Sequence, residues 1–233
     1  MTLTYAIGDV HGCASLLDRL LEAIAEHRGR REARLVFLGD YVDRGPDSAG
    51  VVARLRALQD ADPGRVVCLM GNHEDMLVRA RSDRESFWHW IENGGRATLA
   101  SFGVDHVDAL PDADVAWMAG LPTLHRDEQR YFVHAGLRPG RPVETEDRRT
   151  HLWIREPFLA GEHDFGRHVV HGHTPRRCGI PEALTYRTNL DTGAVFGGAL
   201  TAGIFSDDQR LPIGYIQVGA DGRARELAGL GDR

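Results

Sequence analysis

Seven polar side chains cluster at three strand-to-turn junctions. Asp9 and His11 sit in Gly8-Asp9-Val10-His11-Gly12. Asp40, Asp43 and Arg44 sit in Gly39-Asp40-Tyr41-Val42-Asp43-Arg44-Gly45. Asn72 and His73 sit in Gly71-Asn72-His73-Glu74. Asp9 and His11 stand two residues apart, on one side of an extended chain. Asp40 could lie between two cations and bridge them, and Asn72 adds a neutral oxygen. His134 and His173 follow later apolar runs, where a second sheet could deliver two imidazoles. Carboxylate, imidazole and amide oxygen in one crevice make a metal site. Two cations that share a carboxylate can also share a water. That water becomes hydroxide near neutral pH, and the pair clamps phosphoryl oxygens. Mixed oxygen and nitrogen donors without thiolate suit manganese, iron or zinc better than calcium or magnesium.

The elements that must hold these residues follow from the apolar pattern. Leu3 to Ile7, Leu35 to Leu38 and Val66 to Met70 read as buried strands. Leu16, Leu17, Leu20, Leu21 and Ile24 fall at helical spacing and predict a helix over 14–27; Val51, Val52, Leu55 and Leu58 predict a second. This β-α-β-α-β beginning argues for parallel strands whose C-terminal ends converge on one crevice. From Glu74 to about Ala119 the pattern turns helical. A helical insertion over 75–120 is expected, with Phe87, Trp88, Trp90 and Ile91 as substrate wall or as satellite core. Leu121 to His125 and Arg130 to Val133 predict a hairpin, and Val169-Val170 a further strand. Thr185 to Leu190, Leu200 to Phe205 and Ile213 to Val218 predict three more. This second half reads as mostly antiparallel, and the polar tail from Gly219 as frayed. Two sheets packed face to face with helices outside are expected, in one domain over 1–233.

The totals exclude several classes. The chain has 233 residues, 42% of them hydrophobic, and a net charge of -6. That charge gives no basic field for nucleic acid or an anionic membrane. All 28 basic residues are arginine. No apolar run approaches the roughly 20 residues of a membrane span. The first motif begins at Gly8, so no signal peptide and a cytoplasmic location are expected. Cys13, Cys68 and Cys178 are odd in number and widely spaced, which predicts free thiols. Of 12 histidines, His27, His89, His106, His125, His151, His163 and His168 are expected to be idle.

The three junction motifs resemble, in order, spacing and wording, the signature motifs of the phosphoprotein phosphatase family, within the calcineurin-like metallophosphoesterases. His134-Ala135-Gly136 and Gly172-His173-Thr174 resemble its two later histidine motifs. Trp153-Ile154-Arg155 resembles its second phosphate-binding arginine. Asp191 to Phe196 is similar to a stretch near the end of compact bacterial and phage members. The resemblance implies a calcineurin-like α/β fold, two packed mixed β-sheets flanked by helices as a four-layer α/β/β/α sandwich. It implies two divalent metal ions, with manganese expected and iron or zinc as alternatives. Asp9, His11 and Asp40 would hold one ion; Asp40, Asn72, His134 and His173 the other. Arg44 and Arg155, with Asn72 and His73, would contact the substrate phosphate. His73 would act as general acid, oriented by Asp43, after direct attack by metal-bound hydroxide. His171 is left as a neighbour of the site.

The implied activity is that of a serine/threonine protein phosphatase acting on phosphorylated protein or peptide, monomeric by default. Hydrolysis of diadenosine tetraphosphate is the alternative. Symmetrical hydrolases of that nucleotide typically lack the acid matching Asp43 and carry Asp in place of Glu74, so this chain tilts to the phosphatase. Met70 departs from the arginine common before Gly-Asn-His-Glu. A tetraphosphate would need further cations, for which Arg79, Arg81, Arg84, Arg96, Arg148 and Arg149 are the candidates. A metal-binding scaffold without catalysis ranks below both enzymes because no ligand of the pattern is missing. A nuclease is disfavoured by the acidic balance and by Pro175 after Gly-His-Thr.

Overall fold

The computed structural model describes residues 2–229. The chain opens with β1 (Leu3–Ile7), α1 (Ala14–Arg28), β2 (Ala33–Phe37), α2 (Ser48–Ala61) and β3 (Val66–Cys68). Strands β1, β2 and β3 are parallel neighbours, Ile7 pairing with Phe37 and Phe37 with Cys68. Their C-terminal ends therefore lie side by side, which brings the three motif turns together. Every residue of β1 is buried. Burial on both faces is what a strand under crossover helices requires.

The predicted insertion is a run of short helices. They are α3 (Asn72–Ala80), α4 (Arg84–Trp90), a wide turn at Ile91–Gly95, α5 (Arg96–Phe102) and α6 (Asp112–Ala119). Asp83 caps α4 by accepting the Ser86 N–H at 2.9 Å. The hairpin follows as β4 (Leu124–Arg126) and β5 (Arg130–Val133). Then come α7 (Arg148–Trp153), β6 (His168–His171), β7 (Glu182–Ala183), β8 (Arg187–Asn189), β9 (Leu200–Ser206), β10 (Gly214–Val218) and β11 (Ala224–Ala228).

The two sheets run β11-β10-β9-β1-β2-β3 and β4-β5-β6-β8-β7. They pack face to face, with helices on the outside. Side chains alternate as period two demands. Ala6, Val36, Leu38 and Phe205 from the first sheet meet Phe132 and Val170 from the second. Tyr5, Ile7 and Phe37 face Leu17, Leu20 and Val51 of the helices instead. Tyr131, Val133 and Val169 face Val143, Ile154 and Phe158, so the outer layer over the second sheet is mostly coil around the short α7.

The second half is mostly antiparallel, as expected: β4 pairs so with β5, β7 with β8, β9 with β1 and β10, and β10 with β11, while β5, β6 and β8 pair in parallel at the centre of the second sheet. Apolar periodicity identifies a strand but carries no direction, and long connections permit either one. Strands β9 and β10 extend the first sheet, with β9 antiparallel to β1. One expectation needs correction: the tail is not frayed at 224–228, where β11 pairs with β10. Its Arg225 and Glu226 are exposed. A charged, exposed edge strand lacks the apolar alternation that would reveal it, and such charge also discourages edge-to-edge association. No helix among the described residues is long and apolar enough to cross a membrane.

Candidate active site

Asp9, His11, Asp40, Asn72, His134 and His173 meet, all buried, at the C-terminal ends of β1, β2 and β3 and the adjoining ends of β5 and β6. His11, Asp40 and His73 form one group able to offer ligand atoms within 4.8 Å of one another; Asp40, His134 and His173 form a second. Asp40 is common to both. Among the described residues, the non-glycine residues with positive φ are His11, Asp40, Asp43, Arg44 and His173. All five are motif residues. Backbone strain held at one place points to function there, because fold alone gives no reason to keep it.

The local structure fixes these side chains closely. Glu74 accepts the backbone N–H groups of Asp40, Tyr41 and Gly71 at 2.7–2.8 Å and of Val42 at 3.3 Å, tying the second motif turn to the third. Burial pushes its carboxyl up to about 7 against the pull of those donors. The first turn of α3 donates His73 N–H to Asp40 Oδ1 at 3.0 Å. Backbone N–H of His173 points at both Asp9 oxygens, at 3.1 and 3.2 Å. A side chain at Gly172 would collide with the Asp9 carboxylate, so the Gly before His173 is required by that close approach.

The donor chemistry fits a cation. His134 Nδ1 donates to Leu38 O at 2.9 Å, which leaves the Nε2 lone pair facing inward. That atom lies 2.9 Å from Asn72 Oδ1, 3.3 Å from Asp40 Oδ1 and 3.2 Å from His173 Nδ1. Two acceptors at such a distance have no proton to share, and a metal ion between them resolves the conflict. His11 is oriented likewise: Nδ1 donates to Val42 O at 2.8 Å, and Nε2 lies 3.4 Å from Asp40 Oδ2. Arg44 Nη1 approaches the same Nε2 at 2.7 Å. Burial and the neighbouring Asp191 and Asp40 push the Asp9 carboxyl up, and burial and Glu74 do the same to Asp40. Burial lowers His11, brings His134 down to about 3 and lowers His173 strongly. Neutral imidazoles beside crowded carboxyls are the state that a bound cation favours.

His73 and Asp43 form a separate pair. His73 Nδ1 and Asp43 Oδ2 are 2.7 Å apart and both side chains are buried. Trp90 Nε1 donates to both Asp43 oxygens at 2.9 Å, and Thr98 Oγ1 donates to Oδ1 at 2.6 Å. Burial pushes Asp43 up to about 7, opposed by the hydrogen bonds from Thr98 and Trp90. Burial, and then Arg44, lower His73. Trp90 is thus core and site at once. Its ring is fully buried while its N–H reaches the pair.

Sequence reasoning missed three groups here. Trp90 and Thr98 lie 47 and 55 residues from Asp43, beyond any motif spacing. Asp191 is buried beside Asp9 and Asp40. Burial pushes it up to about 6 while Gly193 N donates to its Oδ1 at 3.0 Å. It follows the β8 strand end as Asp9 and Asp40 follow theirs, but Leu190 rather than glycine precedes it, so the Gly-Asp signature is absent.

The expected phosphate arginines are near the cluster and exposed. Arg44 lies over the Phe196 ring at 5.5 Å, and the Arg155 charge acts on His173 and Asp191. Several arginines proposed for a longer anion are engaged elsewhere. Arg79 and Arg148 pair with Asp75, and Arg81 with Asp112. His171 is buried behind the cluster, edge-on to Phe158 at 5.0 Å, with Nε2 unpartnered. Of the histidines expected to be idle, His27 contacts the Tyr5 hydroxyl at 2.7 Å, His151 that of Thr123 at 2.9 Å and His168 that of Thr188 at 2.8 Å.

The chain belongs to the calcineurin-like phosphoesterase family, which residues 3–198 match. Two similar proteins bear different names. Serine/threonine-protein phosphatase 1 of Salmonella typhimurium is 33% identical over 206 residues, covering 84% of this chain and 89% of that protein. The asymmetrical bis(5'-nucleosyl)-tetraphosphatase PrpE of Oceanobacillus iheyensis is 28% identical over 237 residues, covering 91% and 92%. A crystal structure of a putative diadenosine tetraphosphatase superposes with a TM-score of 0.64 at 22% identity, over 97% of this chain and 93% of that one. The last likeness concerns the fold.

Proposed function

We propose that the protein is a metal-dependent serine/threonine phosphoprotein phosphatase that hydrolyses phosphomonoesters. The observation that carries this reading is the His73–Asp43 pair at 2.7 Å, at the edge of the Asp40 cluster. Serine and threonine leave as poor alkoxides and need a proton, whereas a phosphoanhydride leaves as a stable phosphate. An oriented, buried imidazole beside the metal donors suits the harder leaving group. The 33% identity to a serine/threonine phosphatase over most of both chains supports the same reading.

In this reading Asp9, His11 and Asp40 hold one divalent ion, and Asp40, Asn72, His134 and His173 hold another, manganese being the expected metal. Such ions supply Lewis acidity to phosphoryl oxygens and acidify water near neutral pH. Arg44 and Arg155 grip the equatorial oxygens of the phosphate, with Asn72 and His73 beside it. Asp43 accepts the His73 Nδ1–H and favours the imidazolium, whose Nε2–H would pass to the departing alkoxide oxygen and leave the neutral imidazole.

Dinucleoside polyphosphate hydrolysis is the second reading, favoured by the tetraphosphatase that is similar over 91% of the chain. The two separate in one assay with manganese near neutral pH. The proposal expects higher kcat/KM on phosphoserine or phosphothreonine peptides than on diadenosine tetraphosphate. A tenfold advantage for the nucleotide, about 1.4 kcal/mol of transition-state stabilisation, overturns it.

A further inference from the structure

A groove opens beside Arg155 and Phe196. It has a volume of about 670 Å³, within the range of about 300–1,000 Å³ usual for ligand sites. Arg155, Arg176, Arg177, Thr174, Thr192 and Phe196 are among the residues that line it. None of these residues except Arg155 has a place in the reading above. We propose that this groove binds the polypeptide flanking the phosphorylated residue, and that Arg177 selects an acidic side chain there. The inference rests on the phosphatase reading and names the substrate class that the same site prefers.

Three observations carry it. First, the groove is continuous with the site, because Arg155 belongs to both and Phe196 lies under the Arg44 guanidinium. A chain leaving a phosphate held by Arg44 and Arg155 would run along this groove. Second, its cations are available. Arg176 is paired with Glu182 at 2.6 Å, but among the described residues Arg155 and Arg177 form no ion pair. Asp191 is buried, so no exposed carboxylate lines the groove. In a protein of net charge -6, this opening is complementary to an anion. Third, Phe196 is left 65% exposed on a short turn between Gly193 and Gly197, held by Phe196 N–H donating to Gly193 O at 2.9 Å. The ring carries Arg44 on one face, and no second aromatic side chain lines the groove. That arrangement is a wall for an aliphatic stem rather than a slot for a nucleobase. An apolar ring and a free guanidinium in one groove match aspartate or glutamate, whose short stems end in carboxylate.

The test compares two phosphoserine peptides, one with glutamate and one with lysine at the positions flanking the phosphoserine, in wild type and in Arg177→Glu. Turnover of p-nitrophenyl phosphate reports whether the variant remains folded. An exposed charge pair contributes modestly, so wild type should favour the acidic peptide by about three- to fivefold in kcat/KM at low salt. Arg177→Glu should reverse the order, and Phe196→Ala should raise KM for both peptides. Equal kcat/KM for the two peptides in wild type, or an acidic preference that survives in Arg177→Glu, overturns the proposed selection. Turnover of diadenosine tetraphosphate with neither peptide hydrolysed overturns the phosphatase reading itself, and the groove's proposed occupant with it.

Discussion

The two walls of the active site use their polar groups in opposite ways. The wall built by α4, the Ile91–Gly95 turn and α5 turns its donors inward. Trp90 and Thr98 bond Asp43, and Gly94 O accepts the Arg44 N–H at 3.3 Å. The opposite wall, from Thr174 to Gly179 and Thr192 to Gly198, leaves Arg177 and Phe196 to solvent. Trp90 and Thr98 of the first wall are fully buried, and every hydrogen bond they make to Asp43 constrains the His73 ring. The second presents Arg177 and Phe196 exposed, away from Asp43 and His73. Buried hydrogen bonds to a charged group contribute about 1.5–3 kcal/mol, whereas exposed ion pairs contribute about 0–1 kcal/mol. Changes to the first wall should therefore alter the rate of chemistry, and changes to the second the choice of substrate.

The largest effect belongs to neither wall but to the floor between them. Asp40→Asn should take turnover of every phosphoester to background and lose bound metal at the same time. Elemental analysis of the purified variant beside its kcat checks this. Full metal content with activity lost would separate binding from chemistry and break the shared-ligand account. Next comes His73→Asn, which should lower kcat on phosphoserine by about 10²–10⁴-fold. The loss on p-nitrophenyl phosphate should be smaller, because that leaving group departs without a proton. Equal losses on the two substrates would count against His73 as the acid.

Trp90→Phe and Thr98→Val sharpen the comparison itself. Each removes one donor to Asp43; Thr98→Val does so at nearly constant shape, whereas Trp90→Phe also leaves a small cavity. Each should lower kcat on phosphoserine by about tenfold, in line with loss of a partner that orients a catalytic group, with KM little changed. Thr98→Ser should restore the rate. If Thr98→Val raised KM and left kcat alone, the insertion would be a binding surface and the contrast between the walls would fail. The smallest effects are those at Arg177, which redistribute kcat/KM between peptides by a few-fold.

Legibility in the sequence followed the distance between interacting residues. Asp9 and His11, Asp40 to Arg44, and Asn72 to Glu74 are contiguous, and the strands before them are buried, so the motifs and the three-strand crevice could be read directly. The helix of 14–27 appeared as Ala14–Arg28 for the same reason. Tertiary partners could not be read. Nothing in Trp90 or Thr98 announces a bond to Asp43 across 47 and 55 residues. The aromatic cluster was legible as core, and Trp90 is core, but its N–H had no visible destination. Arg176 and Arg177 could not be told from other arginines until the fold set them in one groove with Phe196. Likewise β11 carries Arg225 and Glu226 on an edge where little is buried, and pairing with β10 alone defines it.

The central claim is that Asp40 joins two ligand sets into one dinuclear centre. The most direct test is metal content per chain, measured by elemental analysis as apo-protein is titrated with manganese and activity is followed in parallel. The account predicts that activity on a phosphoserine peptide reaches its maximum only when two ions are bound per chain. Full activity with one tightly bound ion per chain, unchanged by further metal, would contradict it.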